Sequence, residues 1–194
     1  MSKFRGLMAG IVACVAFLVA AASASALTVS PTGNYTVESA NTQLELSSNG
    51  QALTCDLSSI VANIAANGTG SIPNGNVTYS GCNNSLLGRF TVTQTAAWSL
   101  VTTLTAGNLD LVVTVPSGGV SISGAGCTFQ VAGTVTLSKA IGALPATVAD
   151  ASVSSSSLSI TGNNGGFTCF AFPRGLAADY TGDYDFDRSA TVSG

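Results

Sequence analysis

Apolar and polar residues alternate with a period of two along much of this chain. Near the C-terminus, Tyr184 and Phe186 alternate with Asp183, Asp185 and Asp187. Successive side chains of a β-strand point to opposite faces, so this alternation predicts strands with one buried and one exposed face. Further alternating segments lie at 35–37, 43–46, 90–93, 98–104, 120–122, 129–137 and 158–160.

Short clusters of Gly, Asn and Pro separate the alternating segments. They lie at 31–34, 48–50, 67–70, 73–76, 116–119 and 162–166. Gly and Asn accept the positive φ of tight turns, so the clusters predict hairpins. Two other stretches, 56–66 and 138–151, are compatible with a short helix or with another strand. The pattern predicts an all-β fold, a single-domain sandwich or flattened barrel of antiparallel strands.

The N-terminus has the pattern of an export signal. Lys3 and Arg5 precede an apolar run at 7–22, and small residues at Ala24 and Ala26 suit a signal-peptidase site. We therefore expect a cleaved signal peptide at 1–26 and one β-rich domain at 27–194, with no transmembrane segment in the mature chain. The predicted location is secreted or extracellular, with periplasm or cell surface as alternatives.

Charged residues are sparse, at 8% of the chain. After residue 26, four basic residues stand against nine acidic ones, which gives a net charge of −5. Nucleic acid is excluded as a partner, because phosphate binding needs clustered Lys and Arg. A surface of Ser, Thr, Asn and Gly also lacks the long charged side chains that keep proteins apart, so self-association is a candidate property.

Four cysteines follow the predicted signal, namely Cys55, Cys82, Cys127 and Cys169. In an oxidising compartment they predict two disulfides, with three possible connectivities. We favour Cys55 with Cys82 and Cys127 with Cys169, because each pair brackets a local block. A zinc site is disfavoured, since the mature chain has no CxxC spacing and no His. Cys14 follows a weak lipoprotein-like box, but soluble export explains residues 24–26 better.

Catalytic constellations are absent from the sequence. Nucleophilic hydrolysis usually needs a His base, and there is none; no Ser stands three residues before Lys139 in an SxxK arrangement. Glu38 and Glu45 form the only glutamate pair, and both alternate with apolar residues as solvated strand positions do. We therefore predict that the protein is not an enzyme and has no cofactor.

Asp183, Asp185 and Asp187 are the strongest charge feature. On a strand they share one face and repel one another unless solvent or a cation intervenes. Calcium is the candidate cation, but Arg188 stands where an EF-hand needs Gly and Gly194 where it needs Glu. The favoured interpretation is a solvated negative edge, and a weak structural calcium site is the alternative.

Two aromatic features could form an apolar patch or a ligand platform. Trp98 alternates with Leu100, which favours a core position over an exposed platform for sugars or hydrocarbon. Phe167, Phe170 and Phe172 surround Cys169 and form the densest aromatic cluster. Packing against a disulfide explains this cluster, and a partly exposed apolar patch is the alternative.

A set of short motifs in residues 27–135 resembles a family of small exported bacterial proteins. The motifs are, in order, Ser30-Pro31-Thr32-Gly33, Leu53-Thr54-Cys55, Gly75-Asn76-Val77-Thr78-Tyr79-Ser80-Gly81-Cys82, Trp98 and Gly124-Ala125-Gly126-Cys127. The family includes the protein activator of alkane oxidation. The resemblance implies an extracellular all-β protein that aids contact between cells and a hydrophobic substrate, and it brings no catalytic residues. The chain departs from it at Ala96-Ala97-Trp98, where some members carry Leu-Pro-Trp, and in its C-terminal third.

Three functions remain open at this stage. The first is a non-catalytic surface-active or cell-surface protein, whose partner is a hydrocarbon-water interface or a component of the cell envelope or matrix. The second is a carbohydrate-binding or other ligand-binding module, and the third is a self-assembling matrix or fibre subunit. The first is favoured.

Overall fold

The computed structural model describes residues 27–47 and 50–194. The predicted signal peptide and most of the predicted turn at 48–50 lie outside these residues. Within these two ranges, thirteen strands and one short 3-10 helix, Phe167–Ala171, make up the regular structure. The strands are β1 (Thr28–Ser30), β2 (Gly33–Leu46), β3 (Ala52–Ile64), β4 (Thr69–Ile72), β5 (Val77–Ser80), β6 (Asn83–Asn84), β7 (Gly88–Gln94), β8 (Trp98–Thr105), β9 (Asn108–Gly124), β10 (Cys127–Ala140), β11 (Ala146–Gly165), β12 (Ala177–Thr181) and β13 (Asp183–Ser193).

The strands form one antiparallel sheet that closes on itself. Eight strand positions follow one another around the sheet, and some are shared by short strands that lie end to end. The first two positions are β2 and β3, the third is shared by β4, β5 and β6, and the fourth is shared by β7 and β8. The remaining positions are β9, β10, β11 and a last one shared by β12 and β13. The last position pairs with β2, which completes the ring, and β1 adds beside β13. Each position therefore lies next to its neighbour in sequence. The predicted all-β antiparallel fold is confirmed, and the closed ring of strands makes it a barrel rather than a sandwich.

The predicted alternation sets the two faces of the sheet. Tyr184 is 2% exposed, whereas Asp183 and Asp185 on either side of it are exposed. Inward-facing side chains of all eight positions form one apolar interior. Outward positions carry mainly Ser, Thr, Asn and Asp, as in the exposed serines of β11. The interior is therefore apolar and the outer face is polar.

Residues 116–119 do not form the predicted hairpin turn but lie within β9. Val115 pairs with Gly133 and Val120 pairs with Val131, so four residues of β9 stand opposite the single residue Ala132. This is a bulge, which tolerates a proline because the extra residues leave the ladder. Gly133 has φ 137°, and a Cβ there would lie 2.0 Å from the Ser157 carbonyl oxygen, so the site requires glycine.

The two stretches for which the sequence allowed either a short helix or a strand are extended. Residues 56–64 belong to β3, while 138–140 and 146–151 belong to β10 and β11 with a connection between them. Pairing on both sides of these strands satisfies their backbone groups, which a short isolated helix could not achieve.

Both favoured disulfides, Cys55–Cys82 and Cys127–Cys169, are confirmed. The first joins β3 to the start of β6, and the second joins β10 to the 3-10 helix. Two disulfides are consistent with an extracellular or periplasmic protein. Within the described part of the chain, no helix is both long enough and apolar enough to cross a membrane.

Candidate functional site

Strand pairing brings three chain segments to one end of the closed sheet. Phe90 pairs with Gly124, Gly124 pairs with Cys127, and Cys127 pairs with Gly165. The β6–β7 turn, the β9–β10 turn and the 3-10 helix extend just beyond these residues. We call this the helical end of the sheet.

The helical end carries two highly exposed phenylalanines. Phe167 is 87% exposed and Phe170 is 78% exposed. Their ring centroids are 5.5 Å apart at an interplanar angle of 71°, which is the edge-to-face arrangement that aromatic pairs favour. The two rings thus form one apolar projection.

The 3-10 helix is fixed to the sheet at its centre and at its end. Cys169 is 6% exposed and forms the disulfide to Cys127 of β10. The side-chain amide of Asn163 donates hydrogen bonds to the carbonyl oxygens of Phe172, at 2.9 Å, and Cys169, at 3.4 Å. The exposed rings are therefore held by a covalent link and by two hydrogen bonds from β11.

Phe172 does not belong to the exposed group. It is 3% exposed and stacks on Phe129 with centroids 4.3 Å apart, and Phe90 contacts it edge-on at 5.8 Å. The interpretation of Phe167, Phe170 and Phe172 as one cluster is therefore wrong. Phe172 anchors the helical end in the core, whereas the other two rings point into solvent.

Leu86 is a further exposed residue, and the sequence pattern did not predict its exposure. It lies in the β6–β7 turn and is 76% exposed. The side chain of Asn84, 2% exposed, fixes this turn by accepting hydrogen bonds from the backbone N–H groups of Leu86 and Leu87, at 3.0 and 2.9 Å. Leu87 packs against the core. The available signal was Asn84 before two adjacent leucines, because Asn favours turns and turns lie at the protein surface.

We call Leu86, Phe167 and Phe170 together the exposed tip. These are the three most exposed large hydrophobic residues of the described chain. The others, Leu57, Val101 and Leu104, are each less than half exposed and lie along the strands. The exposed tip is therefore the main apolar surface feature of residues 27–47 and 50–194.

Trp98 is a core residue, and its alternative role as an exposed platform is wrong. It is 5% exposed, and its indole Nε1 donates a hydrogen bond to the Gly119 carbonyl oxygen at 3.1 Å. Gly119 belongs to the bulge in β9, so the bulge supplies the acceptor that a buried indole requires. The ring cannot stack on a sugar in solution.

The C-terminal aspartates face solvent, as the favoured interpretation expects. Asp185 stands directly across from Asp150 on β11 and from Glu38 on β2, which makes a row of carboxylates across three strands. Lys139 forms an ion pair with Asp150. In the described ranges, no three acidic, Cys or His side chains are grouped so that they could hold a metal ion. The geometry gives no support to a calcium site at Asp183, Asp185 and Asp187.

A set of buried hydroxyl groups lies inside the sheet. The Tyr79 and Tyr180 hydroxyl oxygens are 3.4 Å apart, Tyr180 is hydrogen-bonded to Tyr184, and Ser58 Oγ donates to the Tyr184 hydroxyl at 3.2 Å. Burial, and the neighbouring tyrosines, raise the pKa of Tyr79, Tyr180 and Tyr184 well above the ordinary value. These hydroxyls therefore stay neutral at physiological pH.

Comparison of the chain with protein-family models, with curated proteins and with solved structures finds no match. What the protein does is therefore inferred from its own residues.

Proposed function

We propose that this is an exported, non-catalytic protein that adsorbs to hydrocarbon-water interfaces through the exposed tip. The observation that carries the proposal is the pair of phenylalanines, 87% and 78% exposed, on a helix fixed by the Cys127–Cys169 disulfide. Large apolar side chains that stay in water on a rigid support mark a surface that meets an apolar phase.

The free energy of adsorption can be estimated from the burial of the Phe167 and Phe170 rings in hydrocarbon. Burying one large apolar side chain stabilises by about 1.5–3 kcal/mol. Transfer of both rings into hydrocarbon therefore contributes about 3–6 kcal/mol, or a factor of about 10² to 10⁴ in the partition coefficient. Leu86 adds to this. Little ordering entropy opposes the transfer, because the helix is already fixed to the sheet.

The shape of the exposed tip favours a fluid apolar phase over a specific partner. Ligand sites are concave and bury much of their lining. The three side chains of the exposed tip are instead at least three-quarters exposed, so they project from the end of the sheet. The sparse charge of the chain lowers the desolvation cost of approaching oil.

Two further features support the proposal. The disulfides are consistent with a location outside the cytoplasm, where such an interface would be met. We also infer from the short motifs in residues 27–135 a likeness to the exported bacterial family named above, and that likeness would imply a role in contact with hydrophobic substrate. The alternative of a carbohydrate-binding module loses one of its two candidate platforms, because Trp98 is buried.

The test is the dynamic interfacial tension of oxidised residues 27–194 at a hexadecane-water boundary. We expect a faster and deeper fall than for an inert disulfide-bonded β protein of similar size. We expect Phe167→Ser with Phe170→Ser to remove most of that difference. The matched control is Val101→Ser with Leu104→Ser, which removes exposed apolar residues on β8. Equal loss in both double variants, or no difference from the inert protein, would refute the proposal.

A further inference from the structure

The interior of the closed sheet contains a cavity of about 90 Å³. Its walls are mainly aliphatic, including Leu53, Leu100, Val113 and Ile122. Sheets that close with eight strand positions have interiors that side chains just fill or that hold one small ligand. A larger apolar protein cavity, of about 150 Å³, stays free of water and takes up small apolar molecules. This interior is therefore suited to an apolar guest.

One part of the cavity wall is polar. Tyr79, Tyr180, Tyr184 and Thr42 all line it. Thr42 is 1% exposed. Burial raises the pKa of the Tyr180 hydroxyl, and the side chain of Thr42 interacts with that group and lowers the pKa in part. Within residues 27–47 and 50–194, however, no group lies at both the distance and the angle of a hydrogen bond to Thr42 Oγ1. A buried hydroxyl without a partner is costly, so a guest that offers it a hydrogen bond gains affinity.

The chemistry of the cavity selects against charge. Every described side chain that lines it is uncharged, and the tyrosine hydroxyls are neutral. An ionised carboxylate or ammonium would lose its hydration there with no opposite charge to replace it. The volume is somewhat over half of the roughly 150 Å³ that accommodates benzene, so about four non-hydrogen atoms fit without displacing a side chain.

We propose that the interior binds a short-chain aliphatic alcohol, with its alkyl chain among the aliphatic side chains and its hydroxyl hydrogen-bonded at Thr42 and Tyr180. The hydroxyl of the alcohol can donate to one of these oxygens and accept from the other, as neutral hydroxyl groups do. The site is separate from the exposed tip and does not depend on the function proposed for it.

The first test is methyl NMR of oxidised residues 27–194 titrated with methanol, ethanol, 1-propanol, 1-butanol and 1-pentanol. We expect saturable shifts of the methyl groups of Leu100, Val113 and Ile122, with millimolar affinity. Affinity should pass through a maximum with chain length and then fall, because the cavity has a fixed size. Non-specific partition instead strengthens with every added carbon. A steady rise with length, or shifts confined to the exposed tip, would overturn the proposal.

The second test separates the hydroxyl contribution from the apolar one. We expect Thr42→Val, which keeps the shape of the side chain, to weaken 1-propanol binding about 2- to 10-fold. It should leave binding of n-butane, which has as many non-hydrogen atoms, unchanged or stronger. Tyr180→Phe should act in the same direction. The control is Thr103→Val on the exposed face of β8. Equal effects of Thr42→Val and Thr103→Val on both probes, or propanoate binding as tightly as 1-propanol at neutral pH, would contradict the proposal.

Discussion

Phe172 anchors the 3-10 helix in the core, so Phe172→Ala tests how the exposed tip is supported. The ring is 3% exposed and contacts both Phe129 and Phe90. Truncating a buried Phe to Ala costs about 3–5 kcal/mol, because apolar contact is lost and a cavity remains. In a domain of this size, 1 kcal/mol corresponds to about 2–4 °C, so we expect Tm to fall by about 6–20 °C.

The assay is reversible thermal and urea unfolding of the oxidised protein, followed by circular dichroism. Phe170→Ala is the matched control, because it removes the same side chain two residues away at a position 78% exposed. It should change stability by less than about 0.5 kcal/mol. Equal losses of stability in the two variants, or a loss below about 1 kcal/mol for Phe172→Ala, would refute the conclusion that Phe172 is a core residue and Phe170 a surface residue.

Three other predictions concern the sheet. Burial raises the pKa of Tyr79, Tyr180 and Tyr184, so these side chains ionise first in the unfolded state. On the alkaline side, stability should begin to fall above about pH 10, by about 1.4 kcal/mol per pH unit for each of the three while it is ionised only in the unfolded state. Tyrosinate absorbance should then appear together with unfolding, and tyrosinate in the folded protein near pH 10 would count against it. Cys127→Ser with Cys169→Ser, which opens a loop of sequence separation 42, should cost about 4 kcal/mol in urea unfolding. Asp185→Asn should stabilise the fold by about 0.2–1 kcal/mol, and by less at high salt, because Asp185 faces carboxylates on two strands. Asp183 lies opposite Ser152, so Asp183→Asn should stabilise the fold by less, and a larger gain for Asp183→Asn would contradict this explanation.

The sequence predicted those parts of the fold that depend on local pattern. The alternation around Tyr184 and the burial of Trp98 follow from the two-residue period of a strand. The two disulfides also followed, since each joins cysteines that bracket a local block. The choice between a sandwich and a closed barrel did not follow, because closure depends on pairing between β2 and the last strands, which are far apart in sequence.

The candidate site was predicted only in part, for two physical reasons. Phe167, Phe170 and Phe172 look alike in sequence, but the 3-10 helix ends between the last two, so Phe172 turns into the core. The bulge at 116–119 looked like a turn because Pro and Gly serve both structures. Grouping of the tyrosine hydroxyls depends on packing between β5, β12 and β13, which no local window contains.

The measurement that tests the central claim most directly is the fluorescence of Phe167→Trp on hexadecane droplets. Trp98 is buried and gives a constant background, so any change reports on position 167. The account predicts a blue shift and protection from an aqueous quencher when the protein adsorbs. It predicts neither change for Val101→Trp, on the wall of the sheet. Adsorption with position 167 still exposed to the quencher, or equal shifts in both variants, would contradict it.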